Sequence, residues 1–418
     1  MDAKKDIGVY ADWQGLEQPR VMGILHGVSL RSKEIFLFEY DKNWLKSSFA
    51  QKIDPDLELF AGYQYVKEGK SNFGVFLDSS PDRWGRVLME RRETILAKLE
   101  SRPRKNLMES DFLLGVFDEH RTGALRFKTE ENGDFQNYNE DFTTPPFTSI
   151  RELEQASYNL ENELITDDSE VLKWLNMLLA PGSSLGGARP KASVADTNGN
   201  LYIAKFPSKN DTFDVGAWEM IVNELARKAG INAAQATARK FYGNHHTFLT
   251  KRFDRENTDR IHFASAMTLL GYNDGASFQE NVSYLEIVEF IIRNGSDVNA
   301  DLEELFRRIV FSVCVKNTDD HLRNHGFLLV KNGWTLSPAF DINPNPKGTG
   351  LKLNISEYDN SLDLNLLRDV AHYFRISKDA VENIVANTKA AVSQWQILAN
   401  KYDLSREEQS YMNAAFNT

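Results

Sequence analysis

The sequence has few of the features that mark secreted, disulfide-bonded or membrane proteins. Only one of its 418 residues is a cysteine, Cys314, so no disulfide can form within the chain. The apolar neighbours Val313 and Val315 indicate that this thiol is a buried small side chain rather than a nucleophile. No apolar run reaches the roughly 20 residues of a membrane helix, and the first residues contain no apolar signal core. These absences predict a cytoplasmic protein without a membrane segment.

An excess of positive charge is also missing. The formal net charge is -11, and a chain with this balance is not expected to hold DNA phosphates by itself. A hydrophobic fraction of 41%, with 26 Phe, 14 Tyr and 7 Trp, is enough for a large core and argues against extensive disorder. Because 418 residues exceed what one core usually supports, we expect two or more packed units with clefts where they meet.

The motifs of three common sites do not occur either. The chain has no Gly-x-Ser-x-Gly of a serine hydrolase, and its glycine-rich segment 182–191 lacks the spacing of a Walker loop. The pairs His245/His246 and His321/His325 lack the spacing and the cysteines of common zinc sites.

What the chain does contain is a sheet-rich half followed by a mainly helical half. An exposed connection over 130–146, rich in Asn, Asp, Glu, Thr and Pro, marks an internal boundary. Helices dominate from about residue 262 onward. The predicted elements are strands over 7–11, 21–25 and 35–40, a helix after Pro81, helices over 150–160 and 170–179, a hairpin joining 192–194 to 201–206, and helices over 215–229, 287–292, 302–315 and 380–398.

The densest polar stretch, 317–325, directly follows the apolar helix 302–315. The spacing from Asp319 to Asn324 equals the Asp-x-x-x-x-Asn of the protein-kinase catalytic loop. A hairpin over 327–336 could return Asp341 to the side of Asn324, where two oxygen donors would suit magnesium. A polar turn that ends the helix has a similar composition, but a buried helix running into a charged cluster usually needs a ligand or a network.

Two further features fit phosphate binding only weakly when each is taken alone. Glycines in 182–191 would let backbone N–H groups approach a phosphate, although glycine turns are commonly structural. Lys205 lies inside an apolar strand, where it either contacts phosphates or snorkels from a sheet edge. Glu219 or Glu224 on the next helix could pair with Lys205, or either could simply be solvated.

Seven motifs in one order resemble the HipA family, the kinase toxins of bacterial HipA–HipB toxin–antitoxin pairs. They are 81–86 (PDRWGR), 123–127 (GALRF), 184–191 (SLGGARPK), 203–207 (IAKFP), 251–255 (KRFDR), 317–324 (NTDDHLRN) and 338–341 (PAFD), and together they cover most of the chain. The resemblance implies an α+β, two-lobed protein-kinase-like fold related to the phosphoinositide kinases, with ATP in the cleft. It divides the chain into a sheet-rich N-terminal subdomain (1–130), a kinase N-lobe (147–255) and a mainly helical C-lobe (256–418).

The resemblance also implies a role for each matching residue. Asp319 is the expected catalytic aspartate, Asn324 and Asp341 are expected to hold magnesium, and His321 is expected near the phosphates. The other expected ATP-binding residues are Gly186, Gly187, Ala188, Arg189 and Lys191 over the phosphates, Lys205 in contact with them, and Lys251, Arg252 and Phe253 as the hinge beside adenine. Ser184, with Ser183 as the alternative, is the expected autophosphorylation site, whose modification would expel the loop and switch the kinase off. The chain departs from the family pattern at Asp320, where a small residue is frequent, and at Arg189-Pro190.

The function implied by the resemblance is an ATP- and magnesium-dependent serine/threonine kinase toxin. Its expected partner is a HipB-like helix-turn-helix antitoxin that would contact operator DNA for the pair and place it at the nucleoid. A catalytically silent co-repressor or scaffold is the alternative, and the presence of Lys205, Asp319, Asn324 and Asp341 argues against it. A small-molecule kinase of similar fold is a third possibility.

Overall fold

The computed structural model of the protein describes residues 4–30, 33–136, 144–164, 167–179, 189–257 and 259–416. The N-terminal strands form a five-stranded antiparallel sheet in the order β4-β3-β2-β1-β5. Alternation of side chains produces one buried face, as in β1, where Ile7, Val9 and Ala11 are buried. The strands are β1 Lys4–Ala11, β2 Arg20–Leu30, β3 Lys33–Tyr40, β4 Tyr63–Tyr65 and β5 Leu125–Lys128.

The helices of the first part of the chain lie between and after these strands. They are α1 Lys42–Leu45, α2 Gly74–Asp78, α3 Arg83–Leu99, α4 Glu109–Gly115, α5 Ile150–Glu161 and α6 Asp168–Leu179. The longest, α3, packs against α6, and Asp82 caps its N-terminus. The helix expected after Pro81 is therefore present.

A hairpin follows, made of β6 Lys191–Ala195 and β7 Leu201–Lys205. Its turn is held by Asp196, whose Oδ1 accepts hydrogen bonds from the backbone N–H groups of Asn198 (2.8 Å) and Asn200 (2.9 Å). The next elements are α7 Val215–Lys228, β8 Ala236–Arg239, β9 Thr247–Lys251, β10 Arg255–Glu256, β11 Asp259–Arg260 and β12 Phe263–Ser265.

Helices dominate the rest of the chain, as predicted. The elements are α8 Ala266–Leu269, α9 Tyr284–Asn294, α10 Val298–Val315, β13 Gly326–Val330, β14 Gly333–Leu336, α11 Leu364–Val370, α12 Lys378–Val392, α13 Trp395–Lys401 and α14 Arg406–Met412. The helical pattern over 380–398 is thus divided between α12 and α13. At this break Ser393 Oγ donates to the carbonyl of Ala390 at 2.9 Å, a local bond that competes with helix continuation.

The chain forms two compact units, Met1–Lys209 with Asp254–Ala264, and Asn210–Phe253 with Ser265–Thr418. Within the first unit the returning segment is held by ion pairs and backbone contacts. Asp254 Oδ2 accepts from the N–H of Gly123 at 2.8 Å, and Arg255 donates to the Gly123 carbonyl at 3.0 Å. The GALRF and KRFDR motifs therefore meet here. The division at 1–130, 147–255 and 256–418 stays a prediction.

Cys314 lies in α10 and is buried, as predicted, and this burial raises the pKa of its thiol to about 11. Among the residues described, no helix combines the length and apolar character needed to cross a membrane.

Candidate functional site

The polar segment begins where α10 ends. Lys316 adopts the left-handed conformation (φ 48°, ψ 49°) and stops the helix. The N–H of the buried Asn317 then donates to the carbonyl of Ser312 at 2.9 Å. This turn directs the following residues away from the helix axis and produces a loop that returns as β13.

The two neighbouring aspartates of this loop have opposite environments. Asp320 is buried, and its carboxylate accepts from Tyr284 Oη at 2.7 Å and Ser312 Oγ at 3.3 Å. His325 Nε2 lies 3.1 Å from Asp320 Oδ1. Asp319 is exposed, and no group in the described ranges donates a hydrogen bond to its carboxylate. Only Asp319 can therefore meet a substrate from solution.

The charge state of each aspartate follows from these surroundings. Partial desolvation of the Asp319 carboxyl raises its pKa, and the nearby Asp341 carboxylate adds to the increase, whereas His321 and Lys352 oppose it. Burial alone would raise the pKa of Asp320 as well, but the neighbouring His325 and the hydrogen bond from Tyr284 bring it below its usual value. Asp320 is thus a fixed anion, and Asp319 is the better proton acceptor.

Two buried polar atoms near Asp319 have no hydrogen-bond partner among the described residues. The amide nitrogen of Asn324 donates to the carbonyl of Asp319 at 3.1 Å, which sets the orientation of this amide. Its oxygen Oδ1 is buried without a partner, as is Nδ1 of His321. Buried polar atoms are nearly always paired, so an unpaired amide oxygen and imidazole nitrogen in one loop indicate a ligand.

Asp341 reaches the same region through the hairpin β13–β14. The two strands pair from Phe327–Leu336 to Val330–Gly333, as expected for the predicted hairpin. Asp341 itself has a left-handed backbone (φ 56°), and its Oδ1 accepts from Asn343 Nδ2 at 3.3 Å. The electrostatic effect of Asp341 on Asp319 places the two carboxylates near each other.

The proline-rich tail after Asp341 packs against the start of the polar segment 317–325. The N–H of Asn343 donates to Asn317 Oδ1 at 3.2 Å, and Asn345 Nδ2 donates to Thr318 Oγ1 at 2.7 Å. A Cβ on Gly348 would lie 2.3 Å from Thr318 Cγ2, so this close approach requires glycine. These contacts account for the two asparagines and the glycine of this tail.

Helix α10 also holds the end of the β13–β14 hairpin in place. Asp301 Oδ1 accepts from the N–H of Leu336 at 3.2 Å, and Arg308 Nη2 donates to the carbonyl of Ser337 at 2.8 Å. The next residues bridge to the chain before β8, where the N–H of Ala234 donates to the carbonyl of Ala339 at 2.9 Å. One helix thereby determines the positions of both the loop and the segment that carries Asp341.

The predicted hinge residues lie at the end of β9. The N–H of Lys251 donates to the carbonyl of Gln235 at 2.7 Å, and Arg252 is buried. The Phe253 ring lies 5.5 Å from the ring of Phe340, directly before Asp341. Within this unit the predicted hinge segment and the segment before Asp341 are thus in contact.

The predicted phosphate-binding lysines both lie in the first unit. Lys191 and Lys205 are buried and face each other across the β6–β7 pair. Arg189 is half-buried just before β6. Of the two glutamates considered as partners for Lys205, Glu219 is buried in α7, whereas Glu224 accepts from Lys401 Nζ at 2.7 Å. The expected residues Gly186, Gly187, Ala188, Ser184 and Ser183 lie outside the described residues.

The residues present fit a magnesium ion. Asn324 offers an unpaired buried oxygen and Asp341 a carboxylate, and hard cations prefer such oxygen donors. In the part of the chain that the structure describes, no group of three or more His, Cys, Asp or Glu side chains could hold a metal. A two-residue site is consistent with magnesium, which keeps waters and phosphate oxygens as its other ligands.

Sequence reasoning missed most of the residues that support these groups. Tyr284, Ser312 and His325 surround Asp320, but they come from different elements and share no motif. Lys352, near Asp319, lies in an irregular segment without a pattern. The only available signal was the unusual Asp320 itself, since an additional buried carboxylate requires donors around it.

The family model described as the HipA-like C-terminal domain matches residues 183–395. A protein of Haemophilus influenzae named "Putative kinase" is 28% identical over 189 residues, which cover 40% of this chain and 54% of that protein. The chain therefore spans about half the length of this curated relative.

A solved structure of the Shewanella oneidensis MR-1 toxin–antitoxin system, containing HipA, HipB and operator DNA, is similar to the chain with a TM-score of 0.64. The sequence identity is 17%, and the match covers 98% of this chain and 94% of that one. A likeness at this level of identity is one of fold. It confirms the predicted α+β, HipA-like fold with a sheet-rich first half and a mainly helical second half.

Proposed function

This chain belongs to the HipA-like family, and from that premise we propose that it is an ATP- and magnesium-dependent protein serine/threonine kinase. The observation that carries the proposal is the pair of adjacent features in the loop after α10. The exposed Asp319 carboxylate has no hydrogen-bond donor in the described ranges, and the buried Asn324 Oδ1 beside it has no partner there. Buried amide oxygens are nearly always paired, so the Asn324 oxygen supports a bound ligand, and the exposed Asp319 carboxylate is accessible to a substrate beside it.

Each residue has a distinct task in this proposal. Asp319 accepts a hydrogen bond from the hydroxyl of the substrate serine or threonine and takes its proton as the γ-phosphoryl group of ATP is transferred. The new O–P bond forms at the substrate oxygen, the bond between the γ-phosphorus and its bridging oxygen breaks, and ADP leaves. Asn324 and Asp341 would hold magnesium, which supplies positive charge to the phosphates. Lys205 and Arg189 are assigned to the phosphates by motif, and Lys251 to Phe253 to the adenine. Asp320, bound to Tyr284 and His325, keeps the backbone that carries Asp319 in place.

The test is phosphoryl transfer by the pure protein. We expect the unaltered chain to bind MgATP and to incorporate phosphate, detectable by mass spectrometry. Asp319→Asn removes the proton acceptor and is expected to lower turnover by about 10²–10⁴-fold with ATP binding retained, since this is the usual contribution of a general base. Asn324→Leu removes a magnesium ligand and is expected to weaken MgATP binding.

A matched control is available in the exposed carboxylate of Asp359, which lies in an irregular loop of the same unit. Asp359→Asn makes the same change of charge and is expected to leave turnover unchanged. Parent-level turnover in Asp319→Asn would overturn the role of Asp319. A parent protein that neither binds MgATP nor transfers phosphate would overturn the kinase proposal and favour a silent co-repressor.

We further propose that the chain is the toxin of a toxin–antitoxin pair. The similar Shewanella structure contains HipA with HipB and operator DNA. By analogy, a HipB-like helix-turn-helix antitoxin would bind this chain and provide the operator contacts, in keeping with the net charge of -11.

Autophosphorylation of Ser184, or of Ser183, would switch the kinase off by adding negative charge where ATP phosphates bind. Phosphosite mapping of the parent and of Ser184→Ala tests this assignment.

A further inference from the structure

The motif at 81–86 has no task in the proposed reaction, yet it contains an aspartate that is almost fully buried. Asp82 caps the N-terminus of α3, where its Oδ1 accepts from the N–H of Gly85 at 2.8 Å. Its second oxygen, Oδ2, accepts from Lys191 Nζ at 2.6 Å. The side chains of Asp82 and Lys191 are only 1% and 2% exposed. One carboxylate thus performs two separate tasks.

Lys191 connects this carboxylate to the glycine-rich segment. It is the first residue of β6 and directly follows the segment 183–190. The carbonyl of Pro190 accepts from the N–H of Phe206 at 2.9 Å, so the end of the segment is joined to the strand that carries Lys205. A displacement of the Lys191 side chain would therefore act directly on the start of β6 and on the strand that carries Lys205.

The two opposed lysines of the β6–β7 hairpin require a negative charge beside Lys191. Lys191 lies directly opposite Lys205, and like charges opposite each other on paired strands are destabilising. A buried ammonium also loses its hydration, which is costly unless a counter-charge and hydrogen bonds replace it. Asp82 supplies a carboxylate in contact with Lys191, and its own position is fixed by the start of α3.

We propose that Asp82 is a positioning residue of the ATP site, which holds the ammonium of Lys191, and with it the start of β6 opposite Lys205, in the arrangement that binds the phosphates. This inference rests on the proposed kinase function. It assigns to the N-terminal part of the chain, about a hundred residues before the glycine-rich segment, a direct influence on nucleotide affinity. Removal of the Asp82 charge weakens ATP binding, while Asp319 and its proton transfer are left in place.

The substitution Asp82→Asn separates the two tasks of this side chain. Asparagine caps a helix as well as aspartate does, so the bond to Gly85 is retained while the charge that holds Lys191 is lost. We expect the KM for ATP to rise about tenfold, as for loss of a charge-assisted hydrogen bond, with kcat within about twofold of the parent value. A purely structural role would lower the melting temperature and leave the KM of the folded protein unchanged.

Asp41→Asn is the matched control, because Asp41 caps α1 in the same unit through its carboxylate but has no lysine partner among the described residues. It is expected to leave the KM unchanged. The double variant Asp82→Asn/Lys191→Gln is expected to bind ATP no more weakly than Lys191→Gln alone, because Asp82 acts through Lys191. The two amide side chains of the double variant can still form a hydrogen bond with each other. The double variant therefore tests the inference even if Asp82→Asn alone does not fold.

Two results would overturn the inference while leaving the kinase proposal intact. One is an Asp82→Asn protein that binds and turns over MgATP with the KM of the parent. The other is a double variant in which the losses of Asp82→Asn and Lys191→Gln simply add. Absence of MgATP binding in the parent protein would be a different outcome, since it would remove the kinase proposal and this inference with it.

Discussion

At the scale of single residues, burial decides the roles of groups that are chemically identical. Asp319 and Asp320 are adjacent, but the loop exposes the first and buries the second among Tyr284, Ser312 and His325. The same principle applies to histidines. His262 is buried beside the ring of Trp13, and burial lowers its pKa to about 3.

The lowered pKa of His262 leads us to expect that the first unit becomes less stable in acid. An unfolded His262 binds a proton below its ordinary pKa of about 6.5, whereas the folded one stays neutral down to about pH 3. The unfolded state therefore binds more protons in this window, and the free energy of unfolding falls as the pH is lowered, by at most about 1.4 kcal/mol per pH unit. His262→Leu is expected to reduce the fall in melting temperature between pH 7 and pH 5.

The exposed His372 provides the control for this measurement. His372→Leu is expected to keep the pH dependence of the parent. Equal slopes for the His262→Leu and parent proteins would show that His262 does not contribute to acid unfolding.

At the scale of elements, the end of α10 determines where the polar segment 317–325 begins. Lys316 takes a left-handed conformation that costs a residue with a Cβ about 1 kcal/mol or more. Lys316→Gly removes this strain, and part of the gain is offset by the greater freedom of glycine in the unfolded chain. We expect a net stabilisation of about 0.5–1 kcal/mol, measured by thermal unfolding. Lys316→Ala retains the Cβ and is expected to show no gain. A lower melting temperature for Lys316→Gly would contradict this account.

The hairpin that returns Asp341 depends on a single glycine. Gly333 has a φ of 135°, and a Cβ there would lie 2.5 Å from the carbonyl oxygen of Asn294. Gly333→Ala is therefore expected to destabilise the protein by about 2 kcal/mol or more, because both the backbone and the contact must change. Asn332→Ala, at the exposed neighbouring position of the turn, is the control. Equal melting temperatures for the two variants would show that β14 can shift without cost.

At the scale of the whole molecule, charge limits the direct partners of the chain. With a net charge of -11, the isolated protein is expected to show no salt-dependent binding to duplex DNA near physiological ionic strength. The proposed antitoxin would supply that affinity. Electrophoretic mobility shift with the chain alone, and then with a HipB-like partner added, measures the two contributions. Binding of DNA by the chain alone, weakened by added salt, would reveal a local basic surface that outweighs the overall charge.

The amino-acid sequence was sufficient to predict the order of the elements and the polar segment 317–325. Strands β1 to β3, the hairpin β6–β7, α7 and α10 follow from periodicity and turn residues, because these signals are local. The Asp-x-x-x-x-Asn spacing and Asp341 could be found for the same reason, since each motif is contiguous. The resemblance then implied the family, the fold and a role for each matching residue. The family and the fold are confirmed, and the roles stay predictions.

The burial of each polar group and its contacts could be established only from the folded chain. Asp319 is exposed whereas Asp320 is buried. Asn343 bonds to Asn317, and Lys191 bonds to Asp82. Such contacts join residues far apart in the chain, and their strength depends on exclusion of water, which no local pattern records. The unpaired oxygen of Asn324 became visible for the same reason, because a missing partner can be recognised only when all neighbouring groups are in place.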